Sequence, residues 1–312
     1  MSMAQHKIRN LRVQSVLYGN DPGRIRQTVA HLNRAADLAI ARGAAHSVSL
    51  VYGDSSPEAV FEESFLDGLR NQFSALKNID YIYFDANLGS AKGHNTLLSM
   101  VEGEKIDDDA VDVVLIMNPD VMLAPDALLE LIRPLRNSKV GMVEARQLPI
   151  EHPKEYNRAT GETGWATTAC ALIPYEVFKK IGGFDNESFF LYCDDVDFSW
   201  RTRLEGYLVI YQPSAVVFHD KRLGANGQWQ PTSSEQYYSA EAALMMAQKY
   251  SRPDIVTRLR KSFEESDVPH LKRAAAEFEK REKENRLPAP LDPKGKVAEF
   301  HDNYYAKHRY KL

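Results

Sequence analysis

Five consecutive apolar residues, Val113-Val114-Leu115-Ile116-Met117, stop at the polar triplet Asn118-Pro119-Asp120, and this junction constrains the fold more than any other stretch of the sequence. A run of this length with β-branched members reads as a strand covered on both faces, and Pro119 cannot continue its hydrogen-bond ladder. The strand therefore ends at a carboxylate. In open α/β sheets ligands sit beyond the carboxyl ends of the strands, which puts Asp120 where a hard cation or a phosphate would be met. A plain Asn-Pro-Asp turn is the bland use of the same three residues.

The segments before this junction alternate in the manner of a mainly parallel sheet with crossover helices. Leu11 to Leu17 reads as a strand. Asp21 follows as an N-cap with Pro22 at the first helical position, and Ile25, Val29, Leu32, Ala36 and Ile40 recur at spacings of three and four. Ser47 to Tyr52 and Ile79 to Phe84 are further strands, ending at Asp54-Ser55-Ser56-Pro57 and near Asn87-Leu88-Gly89. Pro125 opens a helix with Ala127, Leu128, Leu131 and Ile132 on its inner side. Trp165 to Ile173 is expected to be a strand, Tyr175 to Ile181 a short helix closed by Gly182-Gly183, and Tyr207 to Tyr211 and Ala215 to Phe218 two short strands. From Glu235 the chain turns rich in Ala, Glu, Lys and Arg with helical spacing, through Tyr250, from Asp254 to Glu265 and from Leu271 to Arg286. The expected division is a core domain over 1–225 and a helical region over 226–312.

Length and composition narrow the classes. A chain of 312 residues with 44% hydrophobic content can carry a full catalytic core plus an appendage. No apolar run approaches the roughly 20 residues of a membrane-spanning helix, and the start MSMAQHKIRN lacks an apolar signal core, so a cytoplasmic protein is expected. Cys170 and Cys193 have no metal-type spacing and read as reduced, packed thiols. A formal charge of −4 with mixed signs gives no field for nucleic acid.

Chemistry gathers in Gly182-Gly183-Phe184-Asp185 and in Phe189-Phe190-Leu191-Tyr192-Cys193-Asp194-Asp195-Val196-Asp197-Phe198-Ser199-Trp200-Arg201. Three carboxylates occupy four positions beside aromatic rings. Adjacent carboxylates repel and burial raises a carboxyl pKa further, so one is poised as a base while another accepts hydrogen bonds from a hydroxylated ligand. On a helix starting at Asp194, Asp194 and Asp197 lie near one face and Asp195 points elsewhere. Acids that stabilise a helix N-terminus, with Asp197 pairing to Arg201, are the structural alternative. His219 ends the apolar segment Val216-Val217-Phe218. If it meets Asp120 at one rim of the sheet, a divalent cation could bridge the two and a diphosphate.

These motifs, taken in order, resemble the family-2 inverting glycosyltransferases of the GT-A fold. The motifs are Asp54-Ser55-Ser56, Asn87-Leu88-Gly89 with Gly93 and Asn95, Asn118-Pro119-Asp120, Gly182-Gly183-Phe184-Asp185, Asp194-Asp195-Val196-Asp197 and His219. The closest look is to bacterial rhamnosyltransferase-like members with an Asn-Pro-Asp metal motif, over roughly the first 225 residues. The resemblance implies an α/β fold with a mixed, mainly parallel sheet flanked by helices, to which the helical C-terminal region is appended. It implies Mg²⁺ or Mn²⁺ held by Asp120 and His219, with Asn118 at the first acidic position of the more familiar Asp-X-Asp motif. Around the nucleotide it implies Tyr18, Asp54 on the base, Asn87, Gly89 and Asn95 along the pocket, and Lys92 toward the diphosphate. Asp195 matches the general base, and Asp194 stands one methylene short of the family's glutamate.

The activity so implied is transfer of a sugar from a nucleotide-diphosphate donor, dTDP-rhamnose or a UDP-sugar, to a hydroxyl of a glycan or lipid-linked acceptor by one inverting displacement. Trp165 and Tyr192 are either sugar-binding aromatics or core. Arg222 is a candidate for the substrate's diphosphate, and Gly224 to Trp229 a candidate lid. For the C-terminal helices three uses stay open: an oligomer interface, the preferred one, an acceptor-binding arm, or peripheral membrane contact through Tyr304-Tyr305 and the basic residues Lys307, His308, Arg309 and Lys311. Two other functions share the pattern in part, a sugar-nucleotide nucleotidyltransferase and a non-catalytic nucleotide- or glycan-binding module.

Overall fold

The computed structural model describes residues 8–103, 111–152, 154–221 and 230–306. Strand and helix alternate as β1 (Ile8–Leu17), α1 (Pro22–Ala41), β2 (Ala45–Asp54), α2 (Glu63–Gln72), β3 (Ile79–Tyr83), α3 (Gly89–Gly103), β4 (Val113–Met117), β5 (Val121–Leu123) and α4 (Ala127–Ile132). The chain continues through β6 (Val140–Leu148), β7 (Cys170–Pro174), α5 (Tyr175–Ile181), α6 (Asp194–Leu204), β8 (Leu208–His219), α7 (Ser233–Lys249), α8 (Pro253–Glu265) and α9 (Pro269–Lys283).

The strands form one curled sheet in the order β3-β2-β1-β4-β7-β6-β8-β5. β3, β2, β1 and β4 are parallel, β7 runs antiparallel to both β4 and β6, and β8 is parallel to β6. All five residues of β4 are buried, as a run of apolar residues without alternation requires. Only Asn118, Pro119 and Asp120 separate β4, in the middle of the sheet, from β5 on its edge. That short link bends the sheet back on itself at the carboxyl end of β4.

Two apolar layers cover the two faces. Ile25, Val29, Leu32, Leu66, Leu69, Leu128 and Leu131 of α1, α2 and α4 pack against one, and Leu98, Phe178 and Phe198 of α3, α5 and α6 against the other. Asp21 caps α1 by accepting from the Arg24 backbone N–H at 2.8 Å, with Pro22 next to it. A third cluster joins Phe189, Cys193, Val196 and Trp200 to Leu244, Tyr250, Leu259, Phe263 and Phe278 of the C-terminal helices. The apolar stripes of α7, α8 and α9 are thus buried within the chain.

Several expectations are corrected by packing. Residues 165–169 are not part of a strand; Trp165 and Ala166 are apolar because they lie against the C-terminal helices and α6, where Ala166 N–H donates to Ser199 Oγ at 3.0 Å. The two short strands after Tyr207 are one strand, β8, with Pro213, Ser214 and Ala215 unpaired to β6 where its register slips between Gln212 and Val216. The helix after Pro125 begins only at Ala127. α2, α3, β5 and β6 were not read from the sequence; β6 carries Glu144, Arg146 and Gln147 among its apolar residues, and Glu144 is fully buried. Tyr305, offered as a membrane contact, is buried edge-on against Trp165 at 4.9 Å. Lys307, His308, Arg309 and Lys311 lie outside the described residues.

Candidate active site

The link after β4 and the end of β8 make the first element of the site. Val121 pairs with His219 in an antiparallel register, so Asp120, one residue before, stands beside the histidine. His219 Nε2 lies 3.3 Å from Asp120 Oδ1, and the Asp120 carbonyl accepts from Asp220 N–H at 3.0 Å. On the other side of the ring, Gln147 Oε1 is 2.7 Å from Nδ1, while Gln147 Nε2 donates to Thr167 Oγ1 at 2.9 Å and that hydroxyl donates to Glu144 Oε1 at 3.0 Å. With the amide so oriented its oxygen accepts the Nδ1 proton, and Nε2 is the ring nitrogen turned to Asp120. Lys154 closes this buried series with an ion pair to Glu144 Oε2.

The pair fits a divalent cation. A carboxylate and an imidazole on one side leave the remaining positions to water and substrate phosphate oxygens, the arrangement Mg²⁺ and Mn²⁺ adopt at phosphate-bearing ligands. Among the described residues no group of three or more His, Cys, Asp and Glu side chains gathers as a metal cage.

A second element is a cleft of about 100 Å³ lined by Tyr18, Ser55, Ser56, Pro57, Tyr83, Asp85, Ala86 and Asn87. Two tyrosines with small polar groups between them suit a flat heterocycle. Gly19 N–H donates to Ser56 Oγ at 2.8 Å, and Arg24, just beyond, pairs with Asp220 at 2.7 Å, which ties the cleft to the Asp120–His219 corner. Tyr83 and Asp85 were missed in the sequence because nothing in their pattern marks them as loop walls.

Two residues expected at the nucleotide serve the loops instead. Asp54 is fully buried; its carboxylate accepts from the N–H groups of Ser56 and Val60 at 2.9 and 2.8 Å and from the Tyr81 hydroxyl, which holds the 55–60 loop rather than reaching a base. Asn95 spends its amide on Phe184 and Asn186: Nδ2 donates to the Phe184 carbonyl at 2.7 Å and to Asn186 Oδ1 at 2.8 Å, and Oδ1 accepts from Phe184 N–H at 2.9 Å. Lys92 is exposed on the first turn of α3 and Asn118 is half-buried in the link after β4.

The third element is the turn into α6. Tyr192 and Cys193 both have left-handed backbones, φ 66° and 61°, an uncommon state for side-chain-bearing residues that favours functional turns. Asp194 follows, 4% exposed, with Oδ2 lacking a hydrogen-bond partner among the described residues. Burial, reinforced by the neighbouring Asp195 carboxylate, pushes the Asp194 carboxyl up to about 7, against the pull of a hydrogen bond from Ser90. Asp195 is half-buried on a different side of the helix. Asp197 is fully buried and pairs with Arg201 Nε at 2.7 Å, so the structural alternative holds for it. Ser90 stands at the start of α3, where Gly89 (φ +66°) is required: a Cβ there would meet the Phe190 carbonyl oxygen at 2.5 Å. The N-terminus of α3 thereby lies between the cleft at Asn87 and the carboxylates at Asp194.

The other expected residues are distributed unevenly. Tyr192 donates its hydroxyl to Glu235 at 2.8 Å and so is tied to α7. Trp165 is 7% exposed, with the Lys154 ammonium 4.1 Å from its ring centre, so that face is already covered and the ring acts as core. Arg222 and the Gly224 to Trp229 loop lie outside the described residues. Lys221, missed in the sequence, sits within electrostatic reach of Glu151 and Asp120, and burial lowers its pKa. Both cysteines are buried thiols.

This curled, mainly parallel α/β sheet, with an acid after its central strand and a histidine at the end of a later one, has the GT-A glycosyltransferase fold. Solved structures agree. GalNAc-T7 with UDP, GalNAc and Mn²⁺ matches with a TM-score of 0.60 at 12% identity, covering 90% of this chain and 55% of that one. The mannosyltransferase PcManGT from Pyrobaculum calidifontis, in complex with GDP-Man and Mn²⁺, gives 0.53 at 15%, covering 90% and 83%. In sequence the chain is similar to the N-acetylglucosaminyl-diphospho-decaprenol L-rhamnosyltransferase of Mycobacterium tuberculosis, 29% identical over 46% of this chain and 59% of that protein. It is also similar to rhamnosyltransferase WbbL of Escherichia coli, 23% identical over 41% and 60%. The match spans about three fifths of the length of these curated relatives. No protein-family profile matches the chain. The chain is rhamnosyltransferase-like in sequence and GT-A in fold. Among the described residues no helix is long and apolar enough to cross a membrane.

Proposed function

We propose that the protein is an inverting glycosyltransferase that moves a sugar, rhamnose from dTDP-rhamnose or a sugar from a UDP donor, to a hydroxyl of a glycan or lipid-linked acceptor. The observation that carries this is the Asp120–His219 pair at 3.3 Å beside a base-sized cleft. The similarity to two rhamnosyltransferases supports the choice of sugar, and the name of one of them supports a lipid-linked acceptor.

Asp120 and His219 would hold a divalent cation, which would supply Lewis-acid neutralisation of the charge that develops on the departing diphosphate. The chain's residues do the rest. Tyr18, Tyr83 and Asn87 flank the base, with Asp54 holding the loop that positions Ser55 and Ser56. Lys92 and Asn118 are assigned to the diphosphate in this reading. Asp195 takes the proton of the acceptor hydroxyl as that oxygen attacks the anomeric carbon, and Asp194, with its pKa near neutrality, exchanges hydrogen bonds with a sugar or acceptor hydroxyl. One displacement inverts the anomeric centre, so no covalent intermediate on a carboxylate is formed.

A thermal-shift screen of UDP, GDP, dTDP and their sugars with and without Mn²⁺, on wild type and Asp120→Ala, tests the donor site. One nucleotide at 100 times its dissociation constant adds about 2.7 kcal/mol to a fold that alone binds it. The expected result is a metal-dependent stabilisation that Asp120→Ala loses, with Asp195→Asn keeping the stabilisation and losing transfer. No shift with any nucleotide, or full turnover by Asp195→Asn, overturns the assignment.

A further inference from the structure

α7 runs along the segment that presents Asp194 and Asp195, and its last residue, Lys249, reaches into that segment. The side chain is 7% exposed, and the ammonium lies 2.6 Å from Asp185 Oδ2 and 2.6 Å from Asp197 Oδ1. These two carboxylates stand before and after the acidic pair in sequence, and each organises one leg of the segment. Asp185 Oδ1 accepts from the N–H groups of Glu187 and Ser188, and its carbonyl accepts from Phe189 N–H. That turn delivers Phe190, whose carbonyl accepts from Ser90 N–H at 3.1 Å. Asp197 Oδ1 also accepts from the Tyr250 hydroxyl at 2.9 Å, and its Oδ2 from Arg201, whose guanidinium continues to the carbonyls of Ile181 and Gly183 at 2.7 and 2.8 Å. At the other end of α7, Glu235 holds Tyr192.

We propose that Lys249 is a positioning residue for transfer: by bridging Asp185 and Asp197 it fixes residues 185–197 in the one geometry that aims Asp194 and Asp195 at the substrate. The inference rests on the transfer reading above and assigns α7 a part in the catalytic apparatus although none of it touches the reacting atoms. Asp185, Asp194, Asp195 and Asp197 share this segment, and a left-handed turn at Tyr192 and Cys193 has to be held in place. A cation brought from another element does both, because it offsets repulsion and pins two points at once.

The test compares Lys249→Met, Tyr250→Phe and the double variant Lys249→Met/Asp185→Asn with wild type. Readouts are melting temperature, donor dissociation constant by calorimetry, and kcat against donor KM. For Lys249→Met a tenfold or larger fall in kcat is expected with donor affinity and KM within twofold, and for Tyr250→Phe a severalfold fall of the same signature. In the double variant the melting temperature recovers while kcat stays low, because nothing then bridges residues 185 and 197, although Asp197 keeps Arg201 and Tyr250. If Lys249→Met fails to fold, the other two variants carry the same expectations. Full kcat in a folded Lys249→Met, or kcat that recovers together with the melting temperature, overturns the inference alone. A wild type that transfers from no donor overturns the transfer reading and this inference with it.

Discussion

Asp194→Asn should make the protein more stable at alkaline pH while impairing it as an enzyme. The carboxyl sits 4% exposed with one oxygen unpartnered among the described residues, and its pKa is raised from 3.8 to about 7 by burial and by Asp195. A shift of that size corresponds to about 4 kcal/mol, at roughly 1.36 kcal/mol for each pH unit. Because the folded-state value is raised, the folded protein keeps a proton that the unfolded chain releases between about pH 4 and 7. The stability associated with it is fully present below pH 4 and is lost as the pH rises through 7. An asparagine has no such titration. It can still accept the Ser90 hydrogen bond, and it leaves an unpaired amide N–H₂ in place of the unpaired oxygen, at a cost of about 1–3 kcal/mol. The net expectation is a variant about equal to or slightly less stable than wild type at pH 4.5 and more stable by about 1–3 kcal/mol at pH 8. Urea titrations followed by far-UV circular dichroism at pH 4.5, 6, 7 and 8 measure the difference. A difference that does not change with pH would refute the assignment of a strained carboxyl to Asp194, and a loss that grows toward pH 8 would reverse its sign. Sites that hold a charge at a cost in stability are those where function has been selected over packing.

Two further outcomes follow from neighbouring geometry. Gly89→Ala combines a left-handed backbone with a Cβ placed 2.5 Å from the Phe190 carbonyl oxygen, and should cost at least about 2 kcal/mol in urea titration. Gly206→Ala, at φ +86° with nothing within 4 Å of the new atom, is the control and should lose only about 1–2 kcal/mol of strain; equal losses would show that the clash is absent. His94 is buried with Nδ1 3.1 Å from Gln14 Nε2, and desolvation pushes the imidazole down to about 3. Its contribution is fully present above pH 6.5 and lost as the pH falls toward 3, up to about 5 kcal/mol. His94→Asn should therefore gain stability relative to wild type as the pH is lowered from 7 to 4, and parallel acid-unfolding curves would contradict this.

Features carried by local chemistry are legible in the sequence. The apolar run of β4 and its stop at Pro119 follow from ladder hydrogen bonding, and the start of α1 from a capping aspartate followed by proline. Gly182 ends α5 in a left-handed state that suits a residue without a Cβ. Asp194 and Asp197 fall on the buried side of α6 and Asp195 does not, as helical spacing requires.

What tertiary structure alone decided is which polar groups meet. β6 escaped notice because Glu144 interrupts its pattern, and Lys154, brought in by the following loop, together with the Thr167 hydroxyl makes that burial tolerable. Asp54 and Asn95 have the residue types of ligand contacts, yet both are engaged by neighbours that the fold brings to them. The C-terminal helices carry ordinary amphipathic spacing, which states that a face must be buried and not against what; the fold turns it onto α6 and sets Lys249 between two acids. The sequence by itself determined the strand end at Asp120, the acidic helix start and the histidine that ends β8, because capping, chain-breaking and periodicity act over a few residues. The approach of His219 to Asp120, the loss of solvent at Asp194 and the bridge from α7 depend on the register of β5 with β8 and on how helices pack, and no short-range rule encodes either.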